Sequence, residues 1–407
     1  MKGYRAKTIV TMDGRPIDNG AVVIAGNRIQ AVGRFDEIRS RCRRFDDLGE
    51  VVLLPGLINA HCHLDFTCLR DQIGPQRSFA DWIRRINKLR GELSNHEYVE
   101  SITQGLDEAC RWGTTTIANI ESVPDVLSHL APPSLRVWWF MELIDVRSRL
   151  SAEKTVERAL AAFHNKNNRL GGLGLSPHAP YTVSPALLRA AATRADEREM
   201  LLTIHLAESQ EEMKMFRDGC GDLFDLLHSL GRPMDDCHVG KTPLAHLLNQ
   251  QAVDERWIIV HLNELTEDDF TLLANGPRFH VVHCPRSSRY FGHRPFALER
   301  LRDLGFNICL GTDSLASNSS LSLFAEMRCL RDAHSDLAPE QILEMVTTNP
   351  ARALHQAGNL GRIRAGFEAD LIALPLESGG ADVFEKIIAW NDPVAWMLVD
   401  GLSIPLP

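Results

Sequence analysis

No pair of cysteines in the chain is spaced Cys-x-x-Cys. The nine present, Cys42, Cys62, Cys68, Cys110, Cys220, Cys237, Cys284, Cys309 and Cys329, are odd in number and scattered through 407 residues. Neither a disulfide framework nor a thiolate zinc site is indicated, and a reducing, cytoplasmic compartment is expected. Nowhere does the sequence approach the roughly 18 apolar residues of a membrane span, and the opening MKGYRAKTIVTMDG lacks the sustained apolar stretch of a secretion signal. A basic excess is missing too: 44 Lys and Arg stand against 53 Asp and Glu, a formal charge of -9, which disfavours nucleic acid and anionic membranes as partners. A small-molecule substrate is the expected partner, with a homo-oligomer compatible with the composition. What the chain does have is 44% hydrophobic and 24% charged residues, enough for a large core, and 16 histidines whose placement needs explaining.

Residues 1–55 read as short strands and turns (7–11, 21–24 and 28–32), the last two joined at Gly26-Asn27 as a hairpin. The far end reads the same way at 369–374 and 395–399, after the turn-rich GNLGRIRAGFEAD. Each end is too small to bury a core alone, so the two are expected to complete one sheet. Between them, eight apolar runs alternate with helical stretches: 51–58, 114–120, 135–143, 173–176, 201–205, 257–261, 279–283 and 307–310. Helix signals separate them, including the capping box Ser94-x-x-Glu97, Ser184-Pro185, Thr266 before three acids, and Gly305 closing a helix over 296–304. No Gly-x-Gly-x-x-Gly follows the first run, so an open doubly wound sheet yields to an α/β fold of the (β/α)8 TIM-barrel type. The expected division is a barrel over 56–350 and a composite β-sandwich from 1–55 and 351–407.

Polar residues crowd the C-terminal ends of these runs, where a barrel places its active site. Strand one ends His61-Cys62-His63, strand five His205 with Glu208 behind it, strand six His261 and strand seven His283; strand eight runs into Gly311-Thr312-Asp313-Ser314. Residues two apart share a strand face, so His61 and His63 can present both imidazoles to one point. One such histidine is ordinary; four strand ends converging on one mouth with an aspartate suit a metal. Three imidazoles and a carboxylate fit one divalent ion, Zn²⁺ first and Fe²⁺ second, with a position left for water whose pKa would fall towards ~7. Asp313 can accept that water's proton, His261 can hydrogen-bond the attacking oxygen, and Glu208 can protonate a ring nitrogen or leaving group. His228, His238, His246, His280, His334 and His355 fall off this pattern and read as structural.

The chain resembles the amidohydrolase superfamily, in the group holding adenosine-type, cytosine, guanine, S-adenosylhomocysteine and triazine hydrolases. The motifs run nearly end to end: PGLINAHCH at 55–63, SPHAPY at 176–181, His205-Leu206-Ala207-Glu208, Val260-His261-Leu262, His283-Cys284-Pro285, Gly311-Thr312-Asp313-Ser314, and the closing GRI and GFEADL at 361–363 and 366–371. The resemblance implies metal ligation by His61, His63, His205 and Asp313, proton shuttling by Glu208, water orientation by His261, and a substrate contact from His178. Binuclear members need a bridging residue, usually a lysine at the end of strand four. None lies in 173–176, so the resemblance implies a mononuclear site. The unrelated cytidine deaminase pattern, His-x-Glu with Pro-Cys-x-x-Cys, is absent.

The expected reaction is hydrolytic deamination of a purine-like ring or adenine-bearing nucleoside, with ammonia released. Many relatives read His-x-Pro-x-Ser-Asn after strand seven, and here Ser288 replaces the Asn. The S-adenosylhomocysteine and methylthioadenosine deaminases carry a Pro-x-Glu after a Trp-Leu segment; after Trp82 this chain reads IRRINKLRGEL, with Glu92 one place off, which counts against that subgroup. Tyr290-Phe291-Gly292 and the run 312–318 look more like the aminofutalosine deaminase branch. Arg286 and Arg289 could pair a substrate carboxylate bidentately, as could Arg147 and Arg149, and Glu121 and Glu142 could hold ribose hydroxyls. With His178, His283 is expected to face the substrate. The competing readings are hydrolysis of another carbon–nitrogen bond or a triazine-type halide, and a metal-free, non-catalytic scaffold.

Overall fold

The computed structural model describes residues 1–146, 150–163, 170–237, 240–251, 253–375 and 382–406; Arg147, Arg149 and His238 lie outside them. The two ends of the chain build one sheet. Strands Lys2–Ile9, Ile17–Ala25, Arg28–Arg34, Phe45–Asp47 and Val52–Pro55 from the first part join Leu371–Leu374, Trp396–Val399 and Leu402–Ser403 from the last. The seam is antiparallel, with Leu371 opposite Pro55 and Leu374 opposite Val52. Its core mixes both termini, with Tyr4, Ile9, Val22, Ile29 and Leu53 packed among Ile363, Leu371 and Leu398. The hairpin at Gly26-Asn27 forms as expected, with Ala25 opposite Arg28, and the first strand begins earlier than the sequence implies, at Lys2.

The middle of the chain forms a (β/α)8 barrel. Its eight parallel strands are, in order, Leu57–His63, Thr114–Glu121, Arg136–Leu143, Gly171–Pro177, Leu201–Leu206, Trp257–His261, His280–His283 and Asn307–Leu310, the last resuming at Asp313–Ser314. That resumed piece pairs with strand one, Asp313 against Cys62 and Ser314 against His63. The ring of strands is thereby closed where the site lies. The single apolar run at 51–58 proves to be two strands. Val52–Pro55 serves the terminal sheet and Leu57–His63 the barrel, with Gly56 between them donating its N–H to Asp370 O.

Side-chain alternation divides inside from outside. One buried cluster collects Ile58, Ala60, Ala118, Ile120, Trp138, Phe140, Ile258, Val260, Val282 and Cys309, the barrel interior, and adds Ala351, Ala353, Leu354 and Leu360. Those last four pack with the barrel, although the division at 350/351 assigns them to the terminal unit. Residues of the opposite parity, such as Ile117, Trp139, Met141, Ile259 and Val281, belong to the cluster shared with the surrounding helices. Strand four leaves room for the interior aromatics: a Cβ on Gly174 would lie 2.3 Å from Phe140 Cδ1, so a side chain there would displace the ring. The expected helix starts hold. Ser94 and Glu97 make a reciprocal capping box, as do Thr266 and Asp269, and Ser184 caps the helix begun by Pro185. The helix before Gly305 is shorter than expected, Leu298–Asp303.

Candidate active site

Strict alternation would not bring the histidines inward. Ile58 and Ala60 point into the barrel, so His61 and His63 would point out. A register shift between Asn59 and Cys62 reverses the parity. Asn59 holds the irregular segment, its Oδ1 accepting from His61 N at 3.3 Å and Thr312 N at 3.2 Å while its Nδ2 donates to Thr312 Oγ1 at 2.8 Å. Gly311 permits this approach, since a Cβ there would sit 2.7 Å from His61 O. On strand six, Ile258 and Val260 face inward, and His261 turns in as well because its φ is +81°. Asp313 (φ +57°) and Ala207 (φ +51°) are also left-handed at strand ends. Backbone strain of this kind in non-glycine residues collects at functional sites.

The result is a compact group of donors. His61 lies 4.9 Å ring to ring from both His63 and His205, and the Nε2 atoms of His63 and His205 are 3.3 Å apart. Asp313 Oδ1 is 3.6 Å from His61 Nε2 and 3.8 Å from His63 Nε2. One ligand atom each from His61, His63 and His205 lie within 4.8 Å of one another, and so do those of Glu208, His261 and Asp313. Both ring nitrogens of His61 are buried with no hydrogen-bond partner. A buried polar atom left so costs about 1–3 kcal/mol, and a cation between the rings would satisfy it. Three imidazoles and a carboxylate are the donor set of a zinc-type ion, so the residues fit the metal expected from the sequence.

Electrostatics favours the same use. Burial, with His61 and His205 beside it, holds His63 well below the usual histidine pKa. Burial, His61 and His178 lower His205 to about 3. His261 is lowered chiefly by burial. These rings are neutral at pH 7, as ligands must be. For Asp313 burial opposes ionisation, but His61, His261 and His63 more than offset it and hold the carboxyl well below its ordinary range. Glu208 is driven the other way, well above the usual range, by burial and by the charges of Asp313 and Glu212. Its Oε1 stands 3.7 Å from His261 Nε2.

These groups form the floor of a cavity of about 630 Å³, lined by His63, His205, Glu208, His261 and Asp313 below and by Phe66, Phe79, Trp82 and Tyr181 on the walls. His178 lines it as expected. Its carbonyl also accepts from His205 Nδ1 at 2.9 Å, which fixes the orientation of that ring. Glu142 lines the cavity, sharing the inward parity of Trp138 and Phe140. The remaining expected substrate contacts are corrected by the structure. Glu121 has the outward parity of Ile117, and its Oε1 accepts from Val123 N at 3.0 Å. His283 likewise faces the helices, stacked on Phe296 at 4.1 Å. Pro285 starts the helix Pro285–Phe291 directly after strand seven and carries both arginines off the mouth. Arg286 bonds Ser319 and Ser320, and Arg289 is exposed, 3.8 Å from Asp332. Glu92 is exposed as well. Two partners escaped the sequence reading: Ser287, whose hydroxyl donates to Asp313, and Arg90 in the cavity wall. Strand parity sets Glu121 and His283 outward, but the same rule applied to the sequence sets His61, His63 and His261 outward too, so it could not have separated them; nothing local marks Arg90.

Comparison with known proteins places this arrangement. The amidohydrolase family model matches residues 52–395. A 5-methylthioadenosine/S-adenosylhomocysteine deaminase of Pyrococcus furiosus is 30% identical over 380 residues, covering 90% of this chain and 85% of the relative. Among solved structures, a zinc-bound adenosine deaminase from Xanthomonas campestris superposes with a TM-score of 0.84 at 24% identity, over 99% of this chain and 92% of the other. Helicobacter pylori aminofutalosine deaminase, in complex with methylthio-coformycin, gives 0.84 at 20% identity over 100% of both chains. With a family match over most of its length, its fold and its strand-end histidines in agreement, the chain belongs to the amidohydrolase family.

Proposed function

We propose that the protein is a metal-dependent aminohydrolase that replaces the exocyclic amino group of an adenine-type nucleoside with oxygen and releases ammonia. The observation that carries this is the convergence of His63, His205 and Asp313 with Glu208 and His261 on the floor of one aromatic-walled cavity, with His61 packed against the rings of His63 and His205. His61, His63, His205 and Asp313 would hold one divalent ion, zinc first. Such an ion supplies Lewis acidity and lowers the pKa of a coordinated water. Glu208, kept protonated by its burial, donates to the ring nitrogen beside the amino-bearing carbon as water adds there. His261 hydrogen-bonds the adding oxygen, and Asp313 accepts a proton from it and passes that proton to the departing amino group, while Glu208 recovers its own from the hydroxyl as the carbonyl forms. Phe66, Phe79, Trp82 and Tyr181 enclose a flat base, and Glu142 accepts from sugar hydroxyls.

The Pyrococcus furiosus relative supports the nucleoside class. Within that class, aminofutalosine rests on the sequence at 290–292 and 312–318 alone, because Arg286 and Arg289 lie away from the cavity. The test is ammonia release by metal-replete protein from aminopurines, their nucleosides, aminopterins and aminotriazines, with product masses. Exchange of NH for O is expected. Addition of a whole water would mean ring opening, and silence across the panel would end the reading.

A further inference from the structure

The stretch Ser209-Gln210-Glu211-Glu212 is spelt as a capping box, and Ser209 does cap the helix Gln210–Asp218, accepting from Glu212 N at 3.2 Å. In the boxes Ser94/Glu97 and Thr266/Asp269 the acid returns to the N–H of its own cap residue. Glu212 reaches farther back. Its Oε2 accepts from Glu208 N at 2.8 Å, and the carboxyl also accepts from the backbone of Ala207.

The other backbone group of Glu208 is held from the end of strand six, where Asn263 Nδ2 donates to Glu208 O at 3.1 Å. Leu262 N to Leu206 O at 3.0 Å and Glu264 N to Ala207 O at 2.9 Å lace the same two strand ends together. Between these ties Ala207 is left-handed, with φ +51°, a conformation that costs energy in a residue with a Cβ. Glu208 thus has its N–H fixed by one side chain and its C=O by another. Its carboxyl is left to enter the cavity, where Oε1 stands 3.7 Å from His261 Nε2.

The arrangement opposes stability. Glu212 and Asn263 are both buried, and Glu212 Oε1 and Asn263 Oδ1 have no hydrogen-bond partner among the described residues. Capping the helix requires neither side chain, since Ser209 already supplies the acceptor. Neither of them lines the cavity. What the two share is Glu208.

We propose that Glu212 and Asn263 are positioning residues that clamp the Glu208 backbone and so aim its carboxyl at the reacting ring nitrogen. This rests on the proton-donor role given to Glu208 above and adds the groups on which that role depends.

Glu212→Leu removes the acceptor, whereas Glu212→Gln keeps an amide oxygen in place of Oε2. With the nucleoside that is turned over fastest and with metal content checked, Glu212→Leu should lower kcat about 10²-fold and leave KM nearly unchanged, the scale of a misaimed group. Glu212→Gln should retain most of the parent kcat. In a Glu208→Gln background, Glu212→Leu should cost little more, because the group it aims is already gone. Crystal structures of the metal-loaded parent and Glu212→Leu read the aim directly, as the distance from Glu208 Oε1 to His261 Nε2. Should Glu212→Leu not fold, Asn263→Ala carries the same cycle and the same crystal comparison. Equal losses in both backgrounds, or a Glu208 carboxyl unmoved in the variant, would overturn the proposal. If the carboxyl moves but the parent deaminates no nucleoside, the clamp stands and the deaminase reading alone fails.

Discussion

Ser287 donates its hydroxyl to Asp313 Oδ2 at 2.5 Å, which leaves Oδ1 as the oxygen nearest His61 and His63. Ser317 adds a second donor to the same Oδ2 at 3.2 Å. The serine is fully buried and serves to orient the carboxylate. Ser287→Ala is expected to lower metal affinity or activity about 10- to 100-fold, the usual cost of losing such a partner. Chelator competition with metal analysis of the variant checks this, and wild-type retention would show that Ser317 suffices.

Glu208 is kept as an acid by burial and by neighbouring acids. Glu208→Gln preserves its shape but cannot give up a proton in the same way. A fall in kcat of about 10²- to 10⁴-fold is expected, with metal content unchanged. A variant that still turns over at the parent rate would remove Glu208 from the proton path.

Glu212 is fully buried and accepts from Glu208 N at 2.8 Å. Burial raises its pKa from 4.5 to about 8, against the hydrogen bonds from the backbone of Glu208 and Ala207. The folded state therefore holds this proton more tightly than the unfolded chain. The stability it contributes is complete below the unfolded pKa and is lost as pH rises through about 8. Urea midpoints measured at about pH 6 and about pH 9 should fall more for the wild type than for Glu212→Gln, which carries no ionisable group there. Parallel falls would contradict the assignment.

Arg136, at the start of barrel strand three, ties that end of the barrel to the terminal sheet. Its Nε donates to Asp370 Oδ2 at 2.6 Å, and its Nη2 to Asp400 Oδ1 at 2.8 Å and Glu368 Oε2 at 3.2 Å. Removing the cation strands buried carboxylates, so Arg136→Leu should cost about 3–5 kcal/mol of stability. Thermal and urea unfolding measure the loss. Activity per folded, metal-loaded molecule should persist, because Arg136 lies at the opposite end of strand three from Glu142.

Much of this architecture is legible from local pattern. The eight runs are the eight strands because alternation and flanking caps are short-range signals, and 257–261 and 307–310 are matched to the residue. Boundaries failed where two sheets share one apolar run, as at 51–58. The histidines that gather at the site were legible because each lies at the C-terminal end of a strand. The substrate contacts were less so: Glu142 and His178 line the cavity, whereas Glu121, His283, Arg286 and Arg289 do not. Two of these misses are failures of parity, and two come from a helix that begins at once after Pro285.

By itself the sequence determined the order of strands and helices, the family motifs and the set of groups able to hold a metal. Each depends on residues a few positions apart. Which face those groups present was decided only by tertiary structure. The shift that turns His61 and His63 inward is held by Asn59 bonding Thr312, 253 residues away, and the left-handed turn at Asp313 lies where the resumed last strand pairs with the first. The same holds for Arg90, an unremarkable arginine on a polar helix until the fold stacks it on Phe66, two layers from His63.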